Sequence, residues 1–402
     1  MSGTHSLLPP SAAEWWSRCV GAPHHARGEP DVDKEYNASG TCSHWLASWA
    51  LENPQLELNS WLGKKMKFSE FEFTIDEDRL QRVETYVRAV TREPGRLWVE
   101  KRINTSPVLA VPNQQGHADA VKLDLMGQVE INGALHRGVL TVHDFKDGYI
   151  RVDARDNLQG VLYLAGALYE YDLLADIGAL RFCIHQPKIN HYDEWSYTRA
   201  EIEQYVEILR PVAKLAYDIY YGKVPFDPAV HLNPGEEQCT WCPVRGNCTA
   251  RAAHIAAMFA PLVNRHALDD DTLSAIYLRL DEIEAAVRDF RAEAYKRAIS
   301  GHIIKGQKLV YGNRGAREWK DDALPVIEAA LREKLPEEKA FKPRELISPA
   351  QANKLIKGDS FKPFAEYITQ REASLKLVPE SAPGSPVEVP KFGVVPQAES
   401  LV

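Results

Sequence analysis

Apolar and polar positions change period several times along the chain, and each change marks an element. Between Thr41 and Leu51 the spacing of Trp45, Leu46 and Trp49 predicts a short amphipathic helix. A strand and a helix are expected within Phe71–Val90. From 117 to 147 the period falls to two. Val121, Leu123 and Leu125 alternate, Asn132-Gly133 supplies a hairpin turn, and Val139–Phe145 is rich in strand formers. Asp156-Asn157-Leu158-Gln159 then opens a helix with capping-box chemistry, and Leu158, Val161, Leu162, Ala165, Leu168 and Tyr169 follow a 3.6 period. Arg181–His185 reads as a strand and Glu201–Tyr221 as a helix kinked at Pro211. Strands, helix, strand, helix in that order predict an α/β core.

The remainder is less regular. Residues 1–38 are polar and loop-like apart from Trp15-Trp16. Leu273, Ile276, Leu280, Ile283, Val287, Phe290 and Ala294, spaced by three and four, predict one long helix. Residues 301–320 read as a basic β-hairpin, and Ser348-Pro349-Ala350-Gln351 as a capped helix start. From Pro379 the chain is Pro-rich and unpatterned, which predicts disorder. Four segments follow: a core over 1–250, a helical segment over 251–300, an accessory region over 301–378 and a tail over 379–402. At 402 residues the chain is long enough for two or three domains.

Net charge narrows the partners. At −8 the chain is no uniformly basic nucleic-acid coat, though a local basic groove on an acidic body is compatible with it. Val161–Ile184, the most apolar long stretch, carries Glu170, Asp172, Asp176 and Arg181, so no membrane span is expected. The first residues lack the basic and apolar regions of a signal peptide, and a cytoplasmic protein is the expectation. Six cysteines are too few for a disulfide scaffold of this size.

Candidate chemistry starts with Gly116-His117-Ala118-Asp119 and Asp144-Phe145-Lys146. A two-residue turn at Asn132-Gly133 sets Asp119 opposite Lys146 and Val121 opposite Asp144, so both acids and the lysine share one sheet face. Paired carboxylates with open water positions suit Mg²⁺ or Mn²⁺. A cation held there activates water and stabilises phosphate charge, while the lysine orients the water or offsets that charge. Gln159 and Tyr163, four apart, share a face of the next helix. His44 stands early in its helix and adds an imidazole ligand.

The second cluster is Cys239-x₂-Cys242-x₅-Cys248. Three thiols so spaced imply a bound metal or cluster, and both tetrahedral zinc and 4Fe-4S take four. The fourth comes from Cys19, Cys42 or Cys183.

Taken in order, His44, Gly116-x-x-Asp119, Asp144-x-Lys146 and Gln159-x₃-Tyr163 resemble the motifs of RecB-type nucleases of the PD-(D/E)XK superfamily, most of all phage- and prophage-encoded members. The likeness spans roughly 14–250. It implies a restriction-endonuclease-like α/β core, a mixed central sheet flanked by helices, with a mainly helical C-terminal extension. It also implies a Mg²⁺- or Mn²⁺-dependent deoxyribonuclease, an exonuclease by kind, acting in phage recombination or replication. By position, His44, Asp119, Asp144 and the Phe145 carbonyl would hold metal. Lys146 would be catalytic, and Gln159 and Tyr163 would contact DNA and support the site. The cysteine arrangement resembles the iron–sulfur clamp of AddB-type and CRISPR-adaptation nucleases. That likeness, through Trp16-x-x-Cys19-x-Gly21, assigns Cys19 rather than Cys42 as the partner of Cys239, Cys242 and Cys248 around a 4Fe-4S cluster, with zinc the alternative. It suggests DNA and a phage single-stranded-DNA-binding or annealing protein as partners, and an oligomer is compatible with it.

Lys305, Lys308, Arg314 and Arg317, with Tyr311 and Trp319 among them, form the densest basic strip outside the core and are the DNA-binding candidates there. Two other classes compete: a non-catalytic DNA-binding or assembly subunit, and a zinc-stabilised interaction protein.

Overall fold

The computed structural model describes residues 6–29, 35–259, 269–311, 318–342, 345–356, 358–369, 375–379 and 385–387. It divides into two compact units, Met1–Ala286 and Val287–Val402, so the first extends past the boundary expected at 250.

The first unit begins with α1 (Ala13–Arg18) and α2 (Ala22–His25), short helices where the polar composition predicted loop. Next is α3 (Glu35–Glu52), a full turn and more longer than the aromatic spacing suggested. A two-strand ribbon, β1 (Lys65–Phe68) and β2 (Phe71–Thr74), leads to α4 (Glu77–Arg92), capped by Asp76 accepting from the Arg79 N–H. The central sheet comprises β3 (Arg96–Asn104), β4 (Gln115–Ile131), β5 (Ala134–Phe145), β6 (Ala179–Gln186) and β7 (His191–Thr198), in that spatial order. Pairing is antiparallel except between β5 and β6, which are parallel and joined through α6 (Leu158–Tyr171). A short α5 (Ser106–Leu109) follows β3, and α7 (Arg199–Tyr220) follows β7 behind a full capping box of Thr198 and Glu201. Sheet and helices thus form a mixed α/β layer structure.

Each sheet face buries its own core. Val121, Leu140, Val142, Phe182 and Ile184 pack with Val161, Leu164 and Leu168 of α6 and with Ile202 and Leu209 of α7. On the reverse face Ala120 and Phe145 pack with Leu46 of α3 and Val83, Tyr86 and Val90 of α4. Glycine makes the first layer possible: a Cβ at Gly160 of α6 would stand 2.4 Å from the Phe182 ring.

The β4–β5 hairpin turns at Asn132 (φ 53°) and Gly133 (φ 79°), as the sequence predicted, and pairs Ile131 with Ala134. It does not hold that register. A bulge between Asp124 and Gln128 moves the pairing by two, so Ala120 faces His143 and Val121 faces Val142. A shift of two preserves which side chains share a face but changes their neighbours. Asp119 therefore stands by Asp144, not opposite Lys146.

The first unit ends with α8 (Pro228–His231), α9 (Glu236–Thr240), α10 (Thr249–Phe259) and α11 (Asp270–Tyr277). The long helix expected through 273–294 is broken at Leu278, and α12 (Leu280–Ile299) begins two residues later.

In the second unit, β8 (Gln307–Tyr311) and β9 (Glu318–Trp319) are followed by α13 (Leu324–Lys334), α14 (Glu337–Ala340), the ribbon β10 (Phe341–Lys342) and β11 (Glu345–Leu346), and α15 (Pro349–Leu355), capped by Ser348 and Gln351. Among the described residues the expected hairpin over 301–320 is not found: β8 pairs with β13 (Leu375–Pro379), and β9 with β12 (Ile368–Thr369). Ile327, Leu331, Ala352 and Phe364 centre this unit's core. Of the predicted tail, Pro379 ends β13 and the Val387 N–H donates to the Leu309 carbonyl at 3.0 Å; 380–384 and 388–402 lie outside the described residues.

Candidate active site

Strand alternation puts Asp119, Asp144 and Lys146 on the α6 face at one end of the sheet. Lys146 Nζ lies 2.9 Å from Asp144 Oδ2 and donates to Gln159 Oε1 at 3.1 Å. The Gln159 amide donates in turn to Asp144 Oδ1 at 2.9 Å. Gln159 thus holds the lysine and the acid together. It takes no part in the helix cap, where Asn157 accepts from the Gly160 N–H, so the expected capping-box role of Gln159 is corrected.

Asp119 is fixed from two sides. Its Oδ1 is 2.9 Å from His44 Nδ1, and its Oδ2 accepts the Phe145 N–H at 2.7 Å. The Phe145 ring turns to the reverse face and stacks on Tyr86. Helix α3 is anchored where it carries His44: Ser43 donates to Asp147 at 2.6 Å, Arg82 pairs with Asp147 at 2.7 Å, and Arg79 donates to Ser43 at 2.8 Å. Tyr163, one turn beyond Gln159, packs its ring over Gly116, where a Cβ would stand 2.7 Å from the ring edge. The glycine of the Gly-x-x-Asp run is there to admit that ring.

Charge is strongly coupled. Burial alone would discharge His44, but Asp119 outweighs it and lifts the imidazole to about 8. Burial likewise opposes the Asp119 carboxylate, and His44 and the Phe145 N–H overcome it, lowering the acid. Burial raises Asp144 despite Lys146. Lys146 is raised, since Asp144 and Asp119 prevail over its desolvation. A further acid was not legible from the sequence. Glu100, at φ 47° in β3, falls in a break where Val99 pairs with Ala120 and Lys101 with Ala118. Burial, then Asp119, raise it to about 7. Its only sequence mark is an acid in an otherwise alternating strand.

These donors fit a hard divalent cation. Asp144 Oδ2 is buried and receives no hydrogen bond of regular geometry, leaving a lone pair for a cation. The 2.9 Å between His44 Nδ1 and Asp119 Oδ1 matches neighbouring corners of an octahedron with bonds of ~2.1 Å.

The cysteine site brings together Cys19, Cys239, Cys242 and Cys248, which line one small pocket with Trp15, Leu232 and Pro234. Cys42 lies elsewhere, in the reverse-face core, and Cys183 is buried in β6. Three sulfurs receive backbone N–H groups: Cys19 from Asn233 (3.3 Å), Cys239 from Gly235 (3.4 Å) and Cys248 from Arg251 (3.4 Å). Donors aimed at sulfur favour thiolate, yet burial raises Cys19 and Cys239 and pushes Cys242 up to about 11. A cation held by these sulfurs would resolve that conflict. The buried Arg251 guanidinium adds a compensating positive charge.

Two tighter groupings, with every donor atom within 4.8 Å of the others, stand elsewhere: Glu93–His143–Cys183 and Asp153–His191–Asp193. Arg181 supplies the positive charge at the first by pairing with Glu93. In the second, Asp193 accepts the Ala154 N–H and His191 meets the Val152 carbonyl.

The basic strip is only partly brought together. Lys305 is exposed, Lys308 is half-buried on β8, and Tyr311 is exposed. Trp319 is no stacking platform: it packs in the second unit's core and donates to the Ile347 carbonyl at 2.8 Å. Arg314 and Arg317 lie outside the described residues. Among the described residues no helix is long and apolar enough to cross a membrane.

A family model described as "Protein of unknown function (DUF2800)" matches residues 5–384. With nearly the whole length matched, the chain belongs to the DUF2800 family.

Proposed function

We propose that this protein is a Mg²⁺- or Mn²⁺-dependent deoxyribonuclease with a PD-(D/E)XK-type centre. The observation that carries the reading is Gln159 bridging Lys146 and Asp144 beside the His44–Asp119 pair, with Tyr163 over Gly116. Every residue of the ordered motif set meets at one sheet end. A solvated hairpin with incidental charges has no need of such a network.

His44, Asp119, Asp144 and the Phe145 carbonyl would hold the metal, which when bound supplies an activated water and charge stabilisation at the phosphate. Asp119 and Asp144 position the reacting groups. Lys146, raised and held by Gln159, stays cationic at neutral pH, so it stabilises phosphate charge and is not the base. Glu100, exposed on β3 and electrostatically coupled to Asp119, adds a further carboxylate to the site's charge. The four thiols would hold a 4Fe-4S cluster as a structural clamp. Zinc is the alternative occupant, since a tetrahedral ion also takes four thiolates.

The test is purified protein with Mn²⁺ on linear, nicked and closed circular DNA. Cleavage that is lost with EDTA and in Asp144→Asn supports the reading. Degradation of linear DNA alone identifies an exonuclease. DNA binding without any cleavage would replace the reading with that of a non-catalytic DNA-binding subunit.

A further inference from the structure

Residues 147–156 follow Lys146, the first residue past β5, and lead to the helix that carries Gln159, so this strap is bracketed by the candidate catalytic groups. Its backbone is fastened. The buried Gln186 side chain donates to the carbonyls of Gly148 (3.2 Å) and Ile150 (2.6 Å) and accepts the Val152 N–H (3.1 Å). Asp193 accepts the Ala154 N–H at 2.7 Å, and the Tyr197 hydroxyl accepts that of Asp156 at 2.9 Å. A connection so thoroughly tied at its backbone nevertheless presents apolar side chains outward: Tyr149 is 75% exposed and Ile150 63%.

Cations sit on the rings. Lys188 Nζ lies 4.6 Å from the centre of Tyr149 and also donates to the Asp147 carbonyl. The Arg155 guanidinium lies 4.5 Å from the centre of Trp195, itself 38% exposed. Pairing places Trp195 on the same sheet face as Asp144. Asp144 pairs with Ile184, Ile184 with Asp193, and Trp195 is two positions further along β7. Two strand spacings and two residues make roughly 12 Å.

We propose that this strap binds an unpaired stretch of DNA, with Tyr149 and Trp195 stacking on bases and Lys188 and Arg155 meeting phosphates. The proposal rests on the nuclease reading for its choice of nucleic acid. A duplex hides its base faces, whereas an unpaired strand offers both the faces that rings stack on and the phosphates that flank them. Charge alone would not hold the strand. The cations Arg151, Arg155 and Lys188 are set against Asp153, which pairs with Arg151, and Asp156, which pairs with Arg155. Stacking therefore carries most of the affinity.

The experiment measures binding of a fluorescent single-stranded oligonucleotide and a blunt duplex in EDTA, where no cleavage competes. The full chain is compared with Tyr149→Ala/Trp195→Ala, Tyr149→Phe and Arg155→Ala/Lys188→Ala. The aromatic double variant should lose about tenfold or more in single-strand affinity, with duplex binding within about twofold. Tyr149→Phe should bind as the parent does. The cation double variant should flatten the salt dependence by up to about one unit per lost phosphate contact. Unchanged single-strand binding in the folded aromatic variant, or equal loss for duplex and single strand, would overturn the proposal. So would preferential capture of protein over DNA by the strap. Cleavage is scored separately with Mn²⁺: the strap effect without any cleavage would overturn the nuclease reading and leave the strap.

Discussion

Asp119 stands beside Asp144, one step beyond the paired residues Ala120 and His143, because a bulge between Asp124 and Gln128 moves the β4–β5 register by two. Each of the two acids has its own counter-charge. Asp119 is relieved by His44 and Asp144 by Lys146. Asp119→Asn, Asp144→Asn and Lys146→Ala should therefore each lower cleavage by at least about 100-fold. Folding, followed by circular dichroism, should be retained.

Gln159→Leu should spare the metal ligands but release Lys146 and leave Asp144 Oδ1 without its donor. We expect kcat to fall by about tenfold with KM nearly unchanged, and Gln159→Glu to shift the pH profile because it adds a charge beside Lys146. A change in KM alone would assign Gln159 to DNA contact and not to positioning.

His44 gives a pH signature in the metal-free protein. Its folded value of about 8 exceeds that of an exposed imidazole. A raised value means stability that is complete below about 6.5 and lost as pH rises through about 8. The melting temperature of the parent minus that of His44→Asn should fall across this window. Saturating Mn²⁺ should suppress the fall, since a cation held by His44 and Asp119 would compete with the proton.

Anaerobically purified protein should be brown, with about four irons per chain. Cys19→Ser and Cys239→Ser should lose colour and melt earlier. Cys42→Ser should keep its colour, since Cys42 lies in the reverse-face core and not at the cysteine cavity. Stoichiometric zinc without iron would favour the tetrahedral alternative.

Replacing Lys305 and Lys308 with Ala should weaken DNA binding and reduce its salt slope by up to about one unit per lost phosphate contact, with little effect on cleavage at saturating DNA. An unchanged slope would make the strip an ordinary solvated surface.

The order of the motif residues was legible because alternation and helical spacing decide which side chains share a face, whatever the fine register. The register itself was not. Only Gly127 lies within the bulge to hint at it, and a single glycine in a strand has many other uses. Glu100 was missed for a related reason: a left-handed φ at a glutamate costs local strain, so composition argues against it. The hairpin expected over 301–320 failed because β9 is two residues long and β8 finds its partner 60-odd positions away in β13, beyond any local pattern. The break at Leu278 likewise leaves the three-four spacing intact while ending the helix.

The fastening of Cys19 has a consequence for how the chain is made. Asn233 donates through its N–H to Cys19 and through its side chain to the Arg18 carbonyl, across 214 and 215 positions. The segment with Cys19 leaves the ribosome ahead of the sheet, whereas its partners emerge only after the whole sheet has been synthesised. During that interval Cys19 is an unprotected thiol on a nascent chain. A truncated translation product lacking the last cysteines could assemble the carboxylate centre but not close the ring. Such a product is a ready substrate for proteases, which would keep an incompletely made chain from persisting in the cell.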